Sequence, residues 1–159
     1  ICFALGYKIS LEPRQMRMLE KLALLHDIGK SQIDSKILGK KGPLNDEEWT
    51  LVKKHPIYGF NIVSQIPELM MVAPLILSHH EHWDGSGYPY GLCGDDIPLE
   101  SRILAIADAY DAMTHNRSYR KAMTTEQAKQ ELKEKSGIQF DPLLVEQFLL
   151  IPDSLLKHI

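Results

Sequence analysis

The chain has 159 residues, 18 Lys and Arg against 21 Asp and Glu for a formal net charge of −3, and is 44% hydrophobic and 25% charged. That is the composition of one soluble globular domain, and it excludes a disordered tail, a collagen-like repeat and a broadly basic nucleic-acid coat. Two cysteines, Cys2 and Cys93, form no disulfide framework, whereas three of the seven histidines crowd together at His79, His80 and His82.

Ile1 to Leu5 are apolar until Gly6 breaks the run, too short a stretch to cross a membrane and without the basic segment of a signal peptide. They read as the last turn of a helix that begins earlier, with Gly6 as its C-cap, so the chain is expected to be a fragment lacking its first helix. Pro13 fits the first turn of the next helix, whose Leu19, Leu22, Ala23 and His26 share one face; Gly29 is expected to end it. Residues 31–44 read as loop. Asn45 with Glu48 is a capping-box variant that opens a short helix to about Lys54, and Pro56 puts His55 at a helix junction.

A helix from about Pro56 to Gln65 stops before Pro67. The apolar stretch Leu69–Leu77, with Pro74 in its first turn or at a kink, leads into Ser78–His79–His80–Glu81. Residues 84–98, rich in Gly, Pro and Asp, read as a structured loop in which Asp84 fixes a turn and Gly85, Gly87 and Gly91 permit unusual backbone angles. Pro98 to about Thr114 is helical. Thr124 with Gln127 caps another helix, closed by Ser136–Gly137, and Asp141–Pro142 starts a last one. Strand-type alternation, repeats and linkers are absent from the sequence. The expected fold is an all-α, multi-helix bundle forming a single domain over residues 1–159.

His26 and His55, taken singly, fit hydrogen-bonded core histidines. Asp108 shifts the balance, because apolar Ala107 and Ala109 flank it and a buried carboxylate needs a cation or a dense hydrogen-bond network. On a helix His79 and His80 would lie about 100° apart, an arrangement suited to two neighbouring metals, or to a metal and a substrate. His26, Asp27, His55, His79, His80 and Asp108 together supply four imidazoles and two carboxylates, enough for two divalent ions bridged by a carboxylate and a water. A donor set of nitrogen and oxygen favours iron, manganese, nickel or catalytic zinc over structural zinc. Separations of roughly 24 to 28 residues put each ligand group on a different helix of a bundle whose core holds the site.

The run His26–Asp27–Ile28–Gly29–Lys30, then His55–Pro56, then His79–His80–Glu81–His82–Trp83–Asp84–Gly85–Ser86–Gly87–Tyr88–Pro89 resembles the HD-GYP family of the HD phosphohydrolase superfamily. Asp108–Ala109–Tyr110–Asp111–Ala112–Met113–Thr114 and Gln139–Phe140–Asp141–Pro142 continue the match, which spans roughly Leu19 to Leu149. The resemblance implies an HD-type bundle and a bacterial, metal-dependent phosphodiesterase that opens cyclic di-GMP to pGpG or GMP by a metal-bridged hydroxide. It also implies that His26, Asp27, His55, His79, His80 and Asp108 ligate two divalent ions, iron or manganese before nickel or zinc, with Asp27 bridging. Lys30, Arg117 and Arg120 match positions that contact substrate phosphate, and Lys30 is the candidate proton donor to the leaving oxygen. Gly87 and Tyr88, within the Gly85–Pro89 loop, would shape the substrate pocket.

The same resemblance implies a cytoplasmic setting, alone or as part of a longer sensor or membrane-attached protein, diguanylate cyclases or sensor domains as partners, and no contact of this segment with polymeric nucleic acid or membrane. Glu81 and Asp111 are expected to orient ligand histidines or helix ends. Family members carry a further helix before residue 1 from which a histidine, and in trimetal members also a glutamate, reaches the metals; residues 1–9 hold neither. Two other readings stand beside this one: a nucleotide-binding or interaction module with weak catalysis, and the same chemistry on another cyclic dinucleotide.

Overall fold

The computed structural model describes residues 1–116 and 121–156. Among these the architecture is all-α: α1 (Cys2–Lys8), α2 (Pro13–Leu25), α3 (Ser35–Leu38), α4 (Asp46–Val52), α5 (His55–Val63), α6 (Ala73–Leu77), α7 (Leu99–Thr114), α8 (Thr125–Glu134), α9 (Pro142–Leu149) and α10 (Asp153–Leu156). Tight 3-10 turns at Ile28–Gln32, Pro67–Val72 and Gly94–Asp96 join them, and the one β feature among the described residues is an isolated bridge between Ser136 and Phe140.

The helix boundaries follow local chemistry. Asn45 and Glu48, and likewise Thr124 and Gln127, exchange side-chain and backbone hydrogen bonds as full capping boxes for α4 and α8. Asp141 accepts from the backbone N–H groups of Leu143 and Leu144 to open α9, with Pro142 just inside. α2 carries a further box, between Glu12 and Gln15, that the sequence pattern does not signal because Glu rarely serves at that position.

Two glycines expected to end helices do something else. α1 runs through Gly6 to Lys8, and the chain reverses instead at Ser10, whose φ is +58°. A Cβ on Gly6 would come within 2.7 Å of Met16 Sδ, so Gly6 lets α1 lie close on α2. α2 ends at Leu25, and Gly29 sits inside the following 3-10 turn. A Cβ there would stand 2.0 Å from the His55 carbonyl oxygen and 2.5 Å from the Gly59 nitrogen, so only glycine allows this turn to press against α5.

α7 is the central helix, touching α1, α2, α6, α8 and α9. Its Ile103, Leu104, Ile106, Tyr110 and Met113 join Leu5, Leu19, Leu22, Ile76, Leu132 and Phe148 in one core, each large side chain contributing about 1.5–3 kcal/mol. Arg102, also on α7, pairs with Asp141 and Asp95, each at 2.8 Å, and its guanidinium lies over Trp83, tying α9 and the 84–98 loop to the bundle. Among the described residues no helix is long and apolar enough to cross a membrane.

Candidate metal centre

Each histidine of the site stands where a helix ends or begins. His26 is the C-cap of α2, His55 is the first residue of α5, and His79 and His80 occupy the turn that follows α6. On a continuous helix the His79 and His80 rings would lie about 100° apart. The helix stops at Leu77, and the turn brings the two ring centroids to 4.1 Å, so both face the same space. Pro74 lies in the first turn of α6, where proline is tolerated, and the helix ends where Ser78 leaves helical geometry at φ −103°, ψ 5°.

One local device recurs at three of the four rings. His26 Nδ1 lies 2.9 Å from the Ala23 carbonyl, His55 Nδ1 2.8 Å from that of Val52, and His79 Nδ1 2.5 Å from that of Ile76. A carbonyl only accepts, so each Nδ1 carries the hydrogen and donates it to the residue three positions back. That fixes the tautomer and directs every Nε2 away from its own helix.

Those Nε2 atoms converge on one another and on Asp27. His55 Nε2 is 3.2 Å from His79 Nε2, and the Asp27 carboxylate lies 3.4 Å from His55 Nε2 and 3.5 Å from His26 Nε2. His80 closes the group, its ring centroid 4.9 Å from that of His55. His55, His79 and His80 offer donor atoms that all lie within 4.8 Å of one another, a buried cluster able to coordinate a metal ion.

Burial keeps these imidazoles neutral. It drives the His79 pKa down to about 3 against its hydrogen bond to Ile76, and that of His80 down to about 2, with the neighbouring His79 and His55 acting the same way. His55 is lowered too, again chiefly by burial. Neutral rings with Nδ1–H already donated present bare lone pairs at Nε2. Two such lone pairs facing each other at 3.2 Å repel unless a cation lies between them, so the donor set fits a divalent metal.

Asp27 is held ionised. Burial works to raise its pKa, but the Lys30 ammonium, hydrogen-bonded at 2.7 Å, and the nearby His26 outweigh that and leave it below the usual carboxylate range. Asp108 lies half-buried on α7. Its charge, after burial and Asp27, helps push the Tyr88 phenol well above its ordinary value. Tyr88 stacks on His80 with centroids 4.9 Å apart, so the loop aromatic forms one wall of the histidine cluster. Arg117 and Arg120 lie outside the described residues.

The loop over the site is held by Glu81, which was expected to orient ligand histidines or helix ends and whose carboxylate is bonded by the loop backbone. Buried just after the histidine pair, its carboxylate accepts from the N–H groups of Tyr90 at 2.8 Å and Leu92 at 3.1 Å. Asp84 makes the expected turn, accepting from Ser86 N–H at 2.9 Å. Gly85 and Gly91 have positive φ, whereas Gly87 is required for space: a Cβ there would meet His82 N at 2.3 Å. The loop base is stitched to the α8–α9 turn by Trp83 and Asp84 N–H groups donating to the Gln139 and Ile138 carbonyls. Arg102 went unnoticed in the sequence because a lone arginine within a helical stretch carries no spacing signal.

Comparison with known proteins agrees with this geometry. A family model described as an HD domain matches residues 1–144. A 3'3'-cGAMP-specific phosphodiesterase of Vibrio cholerae is 44% identical over 150 residues, covering 93% of this chain and 29% of that protein. A cyclic di-GMP phosphodiesterase of Thermotoga maritima is 45% identical over 129 residues, 80% of this chain and 35% of that protein. The crystal structure of a cyclic GMP-AMP specific phosphodiesterase from V. cholerae superposes with a TM-score of 0.73 at 26% identity, over 98% of this chain and 43% of that one. The chain thus spans about a third of the length of the curated relatives it matches.

Proposed function

The chain belongs to the HD-GYP-like family of the HD-domain superfamily, and on that footing we propose that it hydrolyses a phosphodiester bond of cyclic di-GMP to give pGpG or GMP. The observation that carries this reading is the set of inward-facing Nε2 atoms, each fixed by an Nδ1–H donated to a backbone carbonyl, gathered around the Asp27 carboxylate.

In this reading His26, Asp27, His55, His79, His80 and Asp108 would hold two divalent ions, iron or manganese, with Asp27 available to both. Such ions supply charge neutralisation at the phosphodiester and a water acidified enough to act as nucleophile near neutral pH. The protein's own groups do the rest. Lys30 stands 2.7 Å from Asp27, placed to meet an anionic phosphate oxygen brought to the ions and to serve as the proton donor to the leaving oxygen. Tyr88 stays a neutral phenol, so it donates a hydrogen bond toward the substrate while its ring backs His80. Gly87 shapes the same wall, and Arg117 and Arg120 serve as further phosphate contacts. Diguanylate cyclases and sensor domains are the signalling partners this activity implies.

The test is to load the protein with Fe²⁺ or Mn²⁺ and offer cyclic di-GMP and 3'3'-cGAMP together, resolving products by chromatography. Preferred turnover of cyclic di-GMP supports the proposal; preferred turnover of 3'3'-cGAMP, the substrate named for two of the V. cholerae relatives, assigns the other substrate. Nucleotide binding without products leaves a binding module.

A further inference from the structure

A cyclic dinucleotide carries two phosphodiesters on one ring, and only one of them is cut at a time. The other stays anionic and must be met by a cation outside the histidine cluster, or its desolvation weakens binding. Lys53 is such a cation. It follows α4 directly and, with Lys54, forms the junction into His55, so the backbone that sets the His55 ring also sets the root of this side chain. Its ammonium lies over the Tyr88 ring, 5.6 Å from the centroid, on the aromatic whose ring stacks on His80. Two ring contacts thus separate Lys53 from the site, and no salt bridge among the described residues occupies it. Lys30, the other lysine of the site, is paired with Asp27 beside the ligand histidines and is assigned above to the phosphate that is cut.

We propose that Lys53 binds the phosphate of the substrate that is not being cut, with Tyr88 holding its ammonium in place at the rim of the site. This deepens the cyclic-dinucleotide reading and rests on it. An exposed ammonium over an aromatic face gains about 0.5–1 kcal/mol from the ring, enough to bias its position yet weak enough to release it to an arriving phosphate. The assignment predicts a selectivity for substrates with two phosphates, which a purely structural lysine does not give.

The discriminating pair of substrates is cyclic di-GMP and bis(p-nitrophenyl) phosphate, which has a single phosphodiester. In the Mn²⁺-loaded enzyme, Lys53→Met is expected to raise the ratio of the two KM values, cyclic di-GMP over bis(p-nitrophenyl) phosphate, by about tenfold, the scale of one charge-assisted contact. Lys53→Arg is expected to keep that ratio within about twofold of the wild type, and Lys54→Met, which removes a neighbouring exposed lysine, to leave it there. A ratio that stays at the wild-type value in Lys53→Met, or a loss of kcat of equal size on both substrates, overturns the proposal. Wild-type turnover of bis(p-nitrophenyl) phosphate but of no cyclic dinucleotide instead overturns the functional reading beneath it.

Discussion

The Nε2 atoms of His55 and His79 face each other across 3.2 Å while both Nδ1 atoms donate to carbonyls of their own preceding turns. Neither ring can turn its remaining lone pair away without giving up a buried hydrogen bond, worth about 0.5–1.5 kcal/mol net. The fold therefore maintains a concentration of lone pairs that only a cation relieves. Much of the chemistry attributed to this chain follows from that arrangement.

Asp27 supplies the negative charge between His26 and His55, so Asp27→Ala should remove most bound metal and lower turnover at least a hundredfold. Metal content after dialysis and turnover of cyclic di-GMP check this together. Full metal occupancy with unchanged turnover would contradict the ligand assignment.

Gly29 lies where the histidine–aspartate turn presses on the start of α5. In Gly29→Ala the new methyl would overlap the His55 carbonyl oxygen, and the turn or α5 must shift. Destabilisation of about 3 kcal/mol or more is expected, at the severe end for single substitutions, with weakened metal binding because Asp27 and His55 move apart. Urea denaturation read alongside metal titration measures both. A stable variant with native affinity would show that the close approach is not required.

Glu81 holds the loop rather than the metal. Glu81→Gln keeps one acceptor but turns an NH₂ toward one of the two backbone N–H groups, so a part-buried donor loses its partner at about 1 kcal/mol. Amide exchange at Tyr90 and Leu92 should quicken severalfold while metal content stays native. Unaltered exchange would sever the link between this carboxylate and the loop.

Acid should weaken the metal-free protein earlier than its carboxylates alone would. Above pH 6.5 neither the folded nor the unfolded chain protonates His79 or His80. Below 6.5 the unfolded chain takes up these protons, whereas the folded chain resists until about pH 3 and 2. Stability therefore falls as pH falls across that interval, by up to about 2.7 kcal/mol per pH unit for two protons, and His55 adds in the same direction. Urea midpoints in EDTA at pH 7 and pH 5 measure the effect, and equal midpoints would contradict it.

Capping chemistry and apolar spacing made the helices readable from sequence, because Asn45, Thr124 and Asp141 act over three residues or fewer. The ligand types were readable for the same reason: His and Asp at helix ends beside apolar stripes are conspicuous. What the sequence did not disclose depends on contacts between distant segments. Gly6 and Gly29 look like helix stops until the Met16 side chain and the His55 carbonyl are seen against them. The convergence of His79 and His80 required knowing that α6 ends at Leu77, and the partners of Glu81 and Arg102 lie up to 39 residues away. α10 is a single turn, too short for any periodicity to reveal, and is held in part by the Lys129–Asp153 ion pair at 2.6 Å.

The central claim is that the inward Nε2 atoms receive metal while Nδ1–H stays on the backbone. Two-bond ¹H–¹⁵N correlation spectra of the imidazoles, recorded during titration with diamagnetic Zn²⁺, test it directly. The Nε2 resonances of His55 and His79 should move from unprotonated to metal-bound positions, with both Nδ1 signals remaining those of protonated nitrogens. Zn²⁺ that binds without shifting either Nε2, or that shifts the Nδ1 signals in their place, would contradict the account.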